Sequence, residues 1–159
     1  MAIKNRPEFK KFIRRVEKSS DEFRASSTEK RHSKQYRTAR ENLAHLVDQD
    51  SFLEFGQFAV AAQRSRRDYE ELQDKTNADG IITGFCSINS ELVGSENSQA
   101  VAIVYDYSVL AGTQGAFHHL KLDRICDQAK KFELQLELTY NGSPVENLNI
   151  GDPDLFKLE

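Results

Sequence analysis

The stretch AVAIVYDYSVLAGTQGAFHHLKLDRICDQAKKF, residues 100–132, decides how the rest of the chain is read. Ala100–Tyr105 is an apolar run suited to a buried strand. Asp106-Tyr107-Ser108-Val109-Leu110 leads from it into a glycine-bounded turn, Ala111-Gly112-Thr113-Gln114-Gly115. Beyond the turn, Leu122, Ile125, Cys126, Ala129 and Phe132 recur at spacings of three and four, which predicts a helix. A strand, a glycine turn and a helix in succession bring backbone N–H groups to a helix start, where an anion or a polarised carbonyl is received.

Upstream, Ile81–Ile88 reads as a second strand behind the turn signal Asp79-Gly80. The polar gap 89–99 connects it to the first as a hairpin. Ser51–Gly56 reads as a short strand after the turn cluster Asp48–Ser51, and residues 59–69 are ambiguous. Nearer the N-terminus, Phe9, Phe12, Ile13 and Val16 follow Pro7 at i, i+3, i+4, i+7, predicting an amphipathic helix over residues 7–19. A second helical run spans residues 21–47 with Asp21 as N-cap. Its polar middle either is propped on another element or breaks near Ser26-Ser27-Thr28, with Thr28 starting a new helix. Two strands, a glycine turn and a helix make a ββα unit, and periodicity alone supports the class α/β.

With 159 residues the chain has room for one domain, and no apolar run is long enough to span a bilayer. The start MAIKNRPEF has no apolar core of a secretory signal. Glu8 and Glu17 interrupt what would otherwise resemble a mitochondrial presequence, so a cytoplasmic location is expected ahead of the mitochondrial matrix. Cys86 and Cys126 stand alone and read as reduced, packed thiols rather than metal ligands. His118 and His119 are adjacent on a helix, which turns their rings apart, so no metal site is expected there. Residues 1–40 carry 13 Lys/Arg against 5 Asp/Glu, and residues 41–159 carry 9 against 20. Such a basic arm either binds phosphates or docks on the acidic body. Nucleic acid is disfavoured, because no aromatic or glycine interleaving accompanies the charge.

Five short motifs in order carry a resemblance. They are Arg37–Leu43, Leu46–Gly56, Ala78–Gly84, Tyr105–Gly115, and the group His119, Lys121, Asp123 and Arg124. From about Pro7 to Leu134 the chain resembles the N-terminal part of the carboxyltransferase component of biotin-dependent acyl-CoA carboxylases, the group that includes the acetyl-, propionyl- and methylcrotonyl-CoA enzymes. The resemblance implies a crotonase-like fold of stacked ββα units, here the N-terminal half only, behind N-terminal helices. It divides the chain into a helical region (1–48), a partial carboxyltransferase domain (49–134) and an atypical tail (135–159). It implies transfer of CO2 from carboxybiotin to the α-carbon of an acyl-CoA. Biotin would be carried by a biotin carboxylase or carrier subunit or domain, and further carboxyltransferase subunits would be partners. That chemistry demands preorganised N–H donors for an enolate oxygen, with glycines that let backbone approach substrate.

The tail departs from the family pattern. A proline, an apolar strand and a glycine cluster supplying an oxyanion hole belong after Leu134, where this chain has Gln135–Pro144 and then no glycine pair. Gln135, Glu137 and Thr139 alternate with Leu136, Leu138 and Tyr140 as in a half-exposed strand, ending at the turn Asn141-Gly142. The chain is therefore expected to be inactive alone; a non-catalytic remnant that associates with carboxylase subunits is the alternative. A frameshift, a splice alternative and a truncation all remain open as origins of the tail.

No residue is proposed as catalytic. The resemblance places an acyl-CoA contact at Leu110, Ala111, Gly112, Gln114 and Gly115, the competing reading being a tight turn with no ligand. His119, Lys121 and Arg124 would approach coenzyme A phosphates or a neighbouring subunit, unless they form a solvated helix face. Arg64, Arg66 and Arg67 read as a charged surface loop rather than a phosphate contact. His118 reads as structural, and Asp106, with no second carboxylate, is not assigned as acid or base.

Overall fold

A computed structural model describes residues 6–139; the Asn141-Gly142 turn and the tail beyond it lie outside the described residues. Ten elements follow in order: α1 (Pro7–Glu17), α2 (Ala25–His32), α3 (Ala39–Leu46), β1 (Leu53–Phe55), α4 (Tyr69–Lys75), β2 (Ile81–Ser87), α5 (Ser90–Val93), β3 (Gln99–Tyr105), α6 (Ala116–Phe132) and β4 (Gln135–Thr139). The strands form one sheet in the order β1-β2-β3-β4. β1 and β3 run antiparallel to β2, whereas β4 lies parallel to β3, reached through α6. β2, β3 and α6 make up the ββα unit expected from residues 81–132, and β4 extends it.

Strand alternation divides the core in two. Ile82, Cys86, Ala100, Ala102 and Val104 face one side, where Ala39, Leu43 and Leu46 of α3 cover them. Ile81, Val101 and Ile103 face the other side, against Ile125 and Ala129 of α6. Ala100 and Ala102 are the small residues on which α3 sits. On β4, Leu136 joins the α6 side while Glu137 is half-buried, and burial raises its carboxyl above the usual range. A third cluster, Val60, Ala61 and Leu72, ties α4 to Leu110. Both cysteines are free thiols, Cys86 buried and pushed up to about 12 by burial, Cys126 half-buried.

The basic arm docks on the acidic body. Lys18 pairs with Asp74, Arg24 with Asp106 at 2.7 Å, and Arg40 with Glu54 at 3.0 Å. Arg15 donates to the carbonyl of Phe58, whose ring meets Phe12 edge-on at 5.8 Å. No helix among the described residues is long and apolar enough to cross a membrane.

The 21–47 run departs from its expected shape. α2 passes through Ser26–Thr28 without a break, and the chain reverses at 33–37 instead. The reason is a capping box: Thr38 Oγ1 accepts the Glu41 N–H at 3.0 Å and Glu41 accepts the Thr38 N–H at 2.7 Å, so a new helix starts at Ala39. Such a box is worth about 1 kcal/mol, enough to outweigh the weak propensity of a polar run. Asp21 is not an N-cap; its carboxylate accepts from the Thr38 hydroxyl. α4 fills part of the ambiguous stretch, with Asp68 as the N-cap accepting the Glu70 N–H.

Candidate functional site

Two left-handed turns stand side by side at one end of the sheet. Ala78, Asp79 and Gly80 (φ 52°, 51° and 75°) precede β2; Leu110, Ala111 and Gly112 (φ 47°, 53° and 77°) follow β3. Antiparallel pairing of Ile81 with Tyr105 brings them together, and the Asp106 N–H donates to the Gly80 carbonyl at 2.9 Å. Only glycine occupies this region freely; Ala78, Asp79, Leu110 and Ala111 each cost about 1 kcal/mol or more there.

The first turn is held from beneath by α6. The Asp79 carboxylate accepts the His118 N–H at 2.8 Å, and the Asp79 carbonyl lies 3.2 Å from His118 Nδ1. Lys121 Nζ donates to the carbonyl of Ala78 at 2.9 Å and to that of Ile81. Asn77 Nδ2 donates to the Lys18 carbonyl at 2.6 Å. These bonds offset the backbone strain and fix the turn. The second turn is exposed at Ala111, Thr113 and Gln114, and Leu110 anchors it in the Val60–Leu72 cluster.

Three titratable groups meet under the turns, and each is nearly inaccessible: Asp79 1% exposed, His118 1%, Lys121 6%. Burial raises the Asp79 carboxyl, against the pull of the His118 N–H and the nearby charges. Burial also lowers His118, whose ring lies 5.0 Å from that of Tyr105 and whose Nε2 has no hydrogen-bond partner among the described residues. Lys121 is pushed down to about 8, chiefly by burial, with Glu54 and Asp79 opposing the shift.

The expected site residues separate. Leu110, Ala111, Gly112 and Gln114 form the strained turn or its rim. At Gly115 a Cβ would lie 3.0 Å from Asp79 Oδ2, so the glycine eases the approach of that carboxylate to the start of α6. The helix start, expected to receive an external anion, already holds Asp79. Lys121 turns inward onto carbonyls and presents no charge to solvent, whereas His119 and Arg124 are exposed on α6. His118 is buried, as its structural reading required. Asp106 is engaged by Arg24 and by the N–H and hydroxyl of Ser108, at 2.9 and 2.5 Å. Arg64 stacks 4.3 Å from the Tyr69 ring centroid and Arg67 pairs with Glu71 at 2.6 Å, both on an exposed loop. No group of metal-ligating side chains occurs among the described residues. Asp79 was visible in the sequence only as half of a turn signal; its role depends on pairing across 39 residues.

No family model matches the chain. A propionyl-CoA carboxylase beta chain from Cereibacter sphaeroides is 30% identical over 121 residues, covering 76% of this chain and 20% of the relative. The methylmalonyl-CoA decarboxylase subunit alpha of Veillonella parvula is 28% identical over the same share of each. The chain thus spans about a fifth of the length of the curated relatives it matches. Among solved structures, a single-chain, multi-domain long-chain acyl-CoA carboxylase superposes with a TM-score of 0.83 at 41% identity, over 95% of this chain and 15% of that one. Transcarboxylase 12S, in a structure holding methylmalonyl-CoA and methylmalonic acid, superposes with a TM-score of 0.65 at 26% identity, over 91% and 25%.

Proposed function

The chain belongs with the carboxyltransferase components of acyl-CoA carboxylases, matching their N-terminal part, and on that footing we propose that it forms the acyl-CoA half-site of a carboxyltransferase. Residues 1–48 are its helical arm and residues 49–134 the opening of its crotonase-like domain. The observation that carries this reading is the strained turn Leu110–Gly112, exposed at its tip and fixed at its base by a second strained turn. Backbone held out of its relaxed state in a rigid frame lets a substrate lie close against it without reordering; the Gly112 and Thr113 N–H groups are themselves taken up inside the turn, by the Val109 and Leu110 carbonyls at 2.9 and 3.1 Å.

In this reading the thioester lies along residues 110–115, with Gly112 allowing close approach. Lys121 and Asp79 act through the backbone: they hold the adjacent turn and touch no substrate. Biotin, on a partner subunit or domain, supplies the CO2 as a carboxylated ring, and further carboxyltransferase subunits complete the assembly. The isolated chain is read as a binding unit without turnover.

Gly112→Val tests the site. A Cβ at Gly112 would lie 3.0 Å from Tyr107 Cδ2, on a backbone at φ 77°. The turn must change shape at the surface while both core clusters stay intact. Calorimetry with propionyl-pantetheine should show affinity falling at least tenfold, with the thermal transition moved by only a few degrees. Unchanged affinity in a folded variant contradicts the placement.

A further inference from the structure

α1 is fastened to the body near its C-terminal end. Arg15 donates to the carbonyls of Phe58 and Gln73, at 3.2 and 3.4 Å, and Lys18, just past the helix, pairs with Asp74. No residue of the helix is fully buried. Its apolar face is only partly covered. Phe9 meets Phe12 at 6.4 Å between ring centroids, and Phe12 meets Phe58 at 5.8 Å. Ile13, four residues on from Phe9, lies on the same side of the helix. Phe12 stays 50% exposed, and Ile13 and Phe58 38% each. Single exposed apolar side chains need no account, but three rings in contact form one patch.

Unpaired cations accompany that patch. Lys10, Lys11 and Arg14 are exposed and have no ion pair among the described residues. Fold stability does not account for them. Lys10 and Arg14, four residues apart, repel each other, and Lys10 and Lys11 lie too far from the C-terminus to complement the helix dipole. Against them the helix sets two carboxylates, Glu8 and Glu17.

Size and charge together select the occupant. The helix has 11 residues and is about 16 Å long. Its exposed flank therefore falls well short of the roughly 800 Å2 that each partner of a stable protein pair buries. A lipid surface conforms to a single helix and sets no such minimum. It receives apolar rings at the headgroup boundary while lysine and arginine stems reach back to the phosphates. We propose that α1 docks this chain on an anionic lipid surface. Phe9, Phe12, Ile13 and Phe58 enter the headgroup boundary, and Lys10, Lys11 and Arg14 engage the lipid phosphates. The surface is separate from residues 110–115 and stands whether or not they receive a thioester.

Vesicle flotation with the full 159-residue chain tests this. The vesicles are phosphatidylcholine alone, or phosphatidylcholine with about one-third phosphatidylglycerol. The parent should float with the mixed vesicles and not with the neutral ones. The combined variant Lys10→Gln, Lys11→Gln, Arg14→Gln should bind at least tenfold more weakly, each lost charge removing a factor of about five. Phe12→Ser should also lose at least tenfold. All four positions lie outside the core clusters, so both variants should keep the parent thermal transition. A parent that stays off the mixed vesicles, or that floats equally well with neutral ones, overturns the proposal. So does equal flotation of the parent and the charge variant. A parent dimer that Phe12→Ser dissociates, with no flotation, overturns it in favour of a second copy of the chain.

Discussion

Gly84→Ala should unfold the chain at markedly lower urea concentration, with a loss of about 3 kcal/mol. A Cβ at Gly84 would fall 2.4 Å from the Leu53 carbonyl oxygen and 2.5 Å from the Phe52 ring. Gly84 pairs with Glu54 across β1 and β2, so the obstructing atom is backbone of the neighbouring strand and no side-chain rotation relieves it. β1 must lift, carrying Phe52 off the α3 core and loosening the 3.0 Å pair between Glu54 and Arg40. Gly84 has no left-handed φ, so the clash alone carries the loss. A Gly84→Ala chain that unfolds at the parent's urea concentration would contradict the packing of β1 described above.

The second large effect is one of pH. Lys121 releases its proton near 8 in the folded chain, against 10.5 for an exposed lysine. Between those values the unfolded chain holds a proton that the folded chain lacks, so unfolding takes one up and rising pH favours folding. The stability contributed by this group is complete above about 10.5 and is lost as pH falls through about 8. The neutral amine still has protons to donate to Ala78 and Ile81, so deprotonation keeps the turn intact. From pH 7.5 to 10 the parent chain should gain about 2 kcal/mol relative to Lys121→Met. That variant keeps a long chain near Gly56 and carries no proton to release. Urea unfolding of both proteins at the two pH values measures the difference; parallel behaviour would mean that Lys121 is not the buried cation described.

Much of this fold was legible because local signals agreed. β2, β3, α6 and the hairpin between the strands all lie where periodicity and turn residues put them. The helix break was misread because composition was weighed above capping. Thr38-Ala39-Arg40-Glu41 contains the threonine and glutamate of a capping box, and Asp68-Tyr69-Glu70-Glu71 marks the start of α4 in the same way. The inward turn of Lys121 was also within reach. His118, Lys121, Leu122, Ile125 and Ala129 continue the apolar stripe of α6 backwards by threes and fours, so Lys121 lies on the buried face.

The capping of α6 by Asp79 was not legible. The carboxylate reaches His118 only because β2 and β3 pair in one register, and no local pattern records that contact. The same holds for the anchoring of the start of α2, which depends on Arg24 meeting Asp106 across 82 residues. The basic arm left two readings open in the sequence, and its ion pairs to Asp74, Asp106 and Glu54 answer for docking.

The acyl-CoA half-site is tested most directly by titrating propionyl-CoA into the purified 159-residue chain in a calorimeter. Saturable one-to-one binding, weakened by Gly112→Val, is the predicted result. A parent chain that shows a cooperative thermal transition yet takes up no propionyl-CoA would contradict the account at its centre.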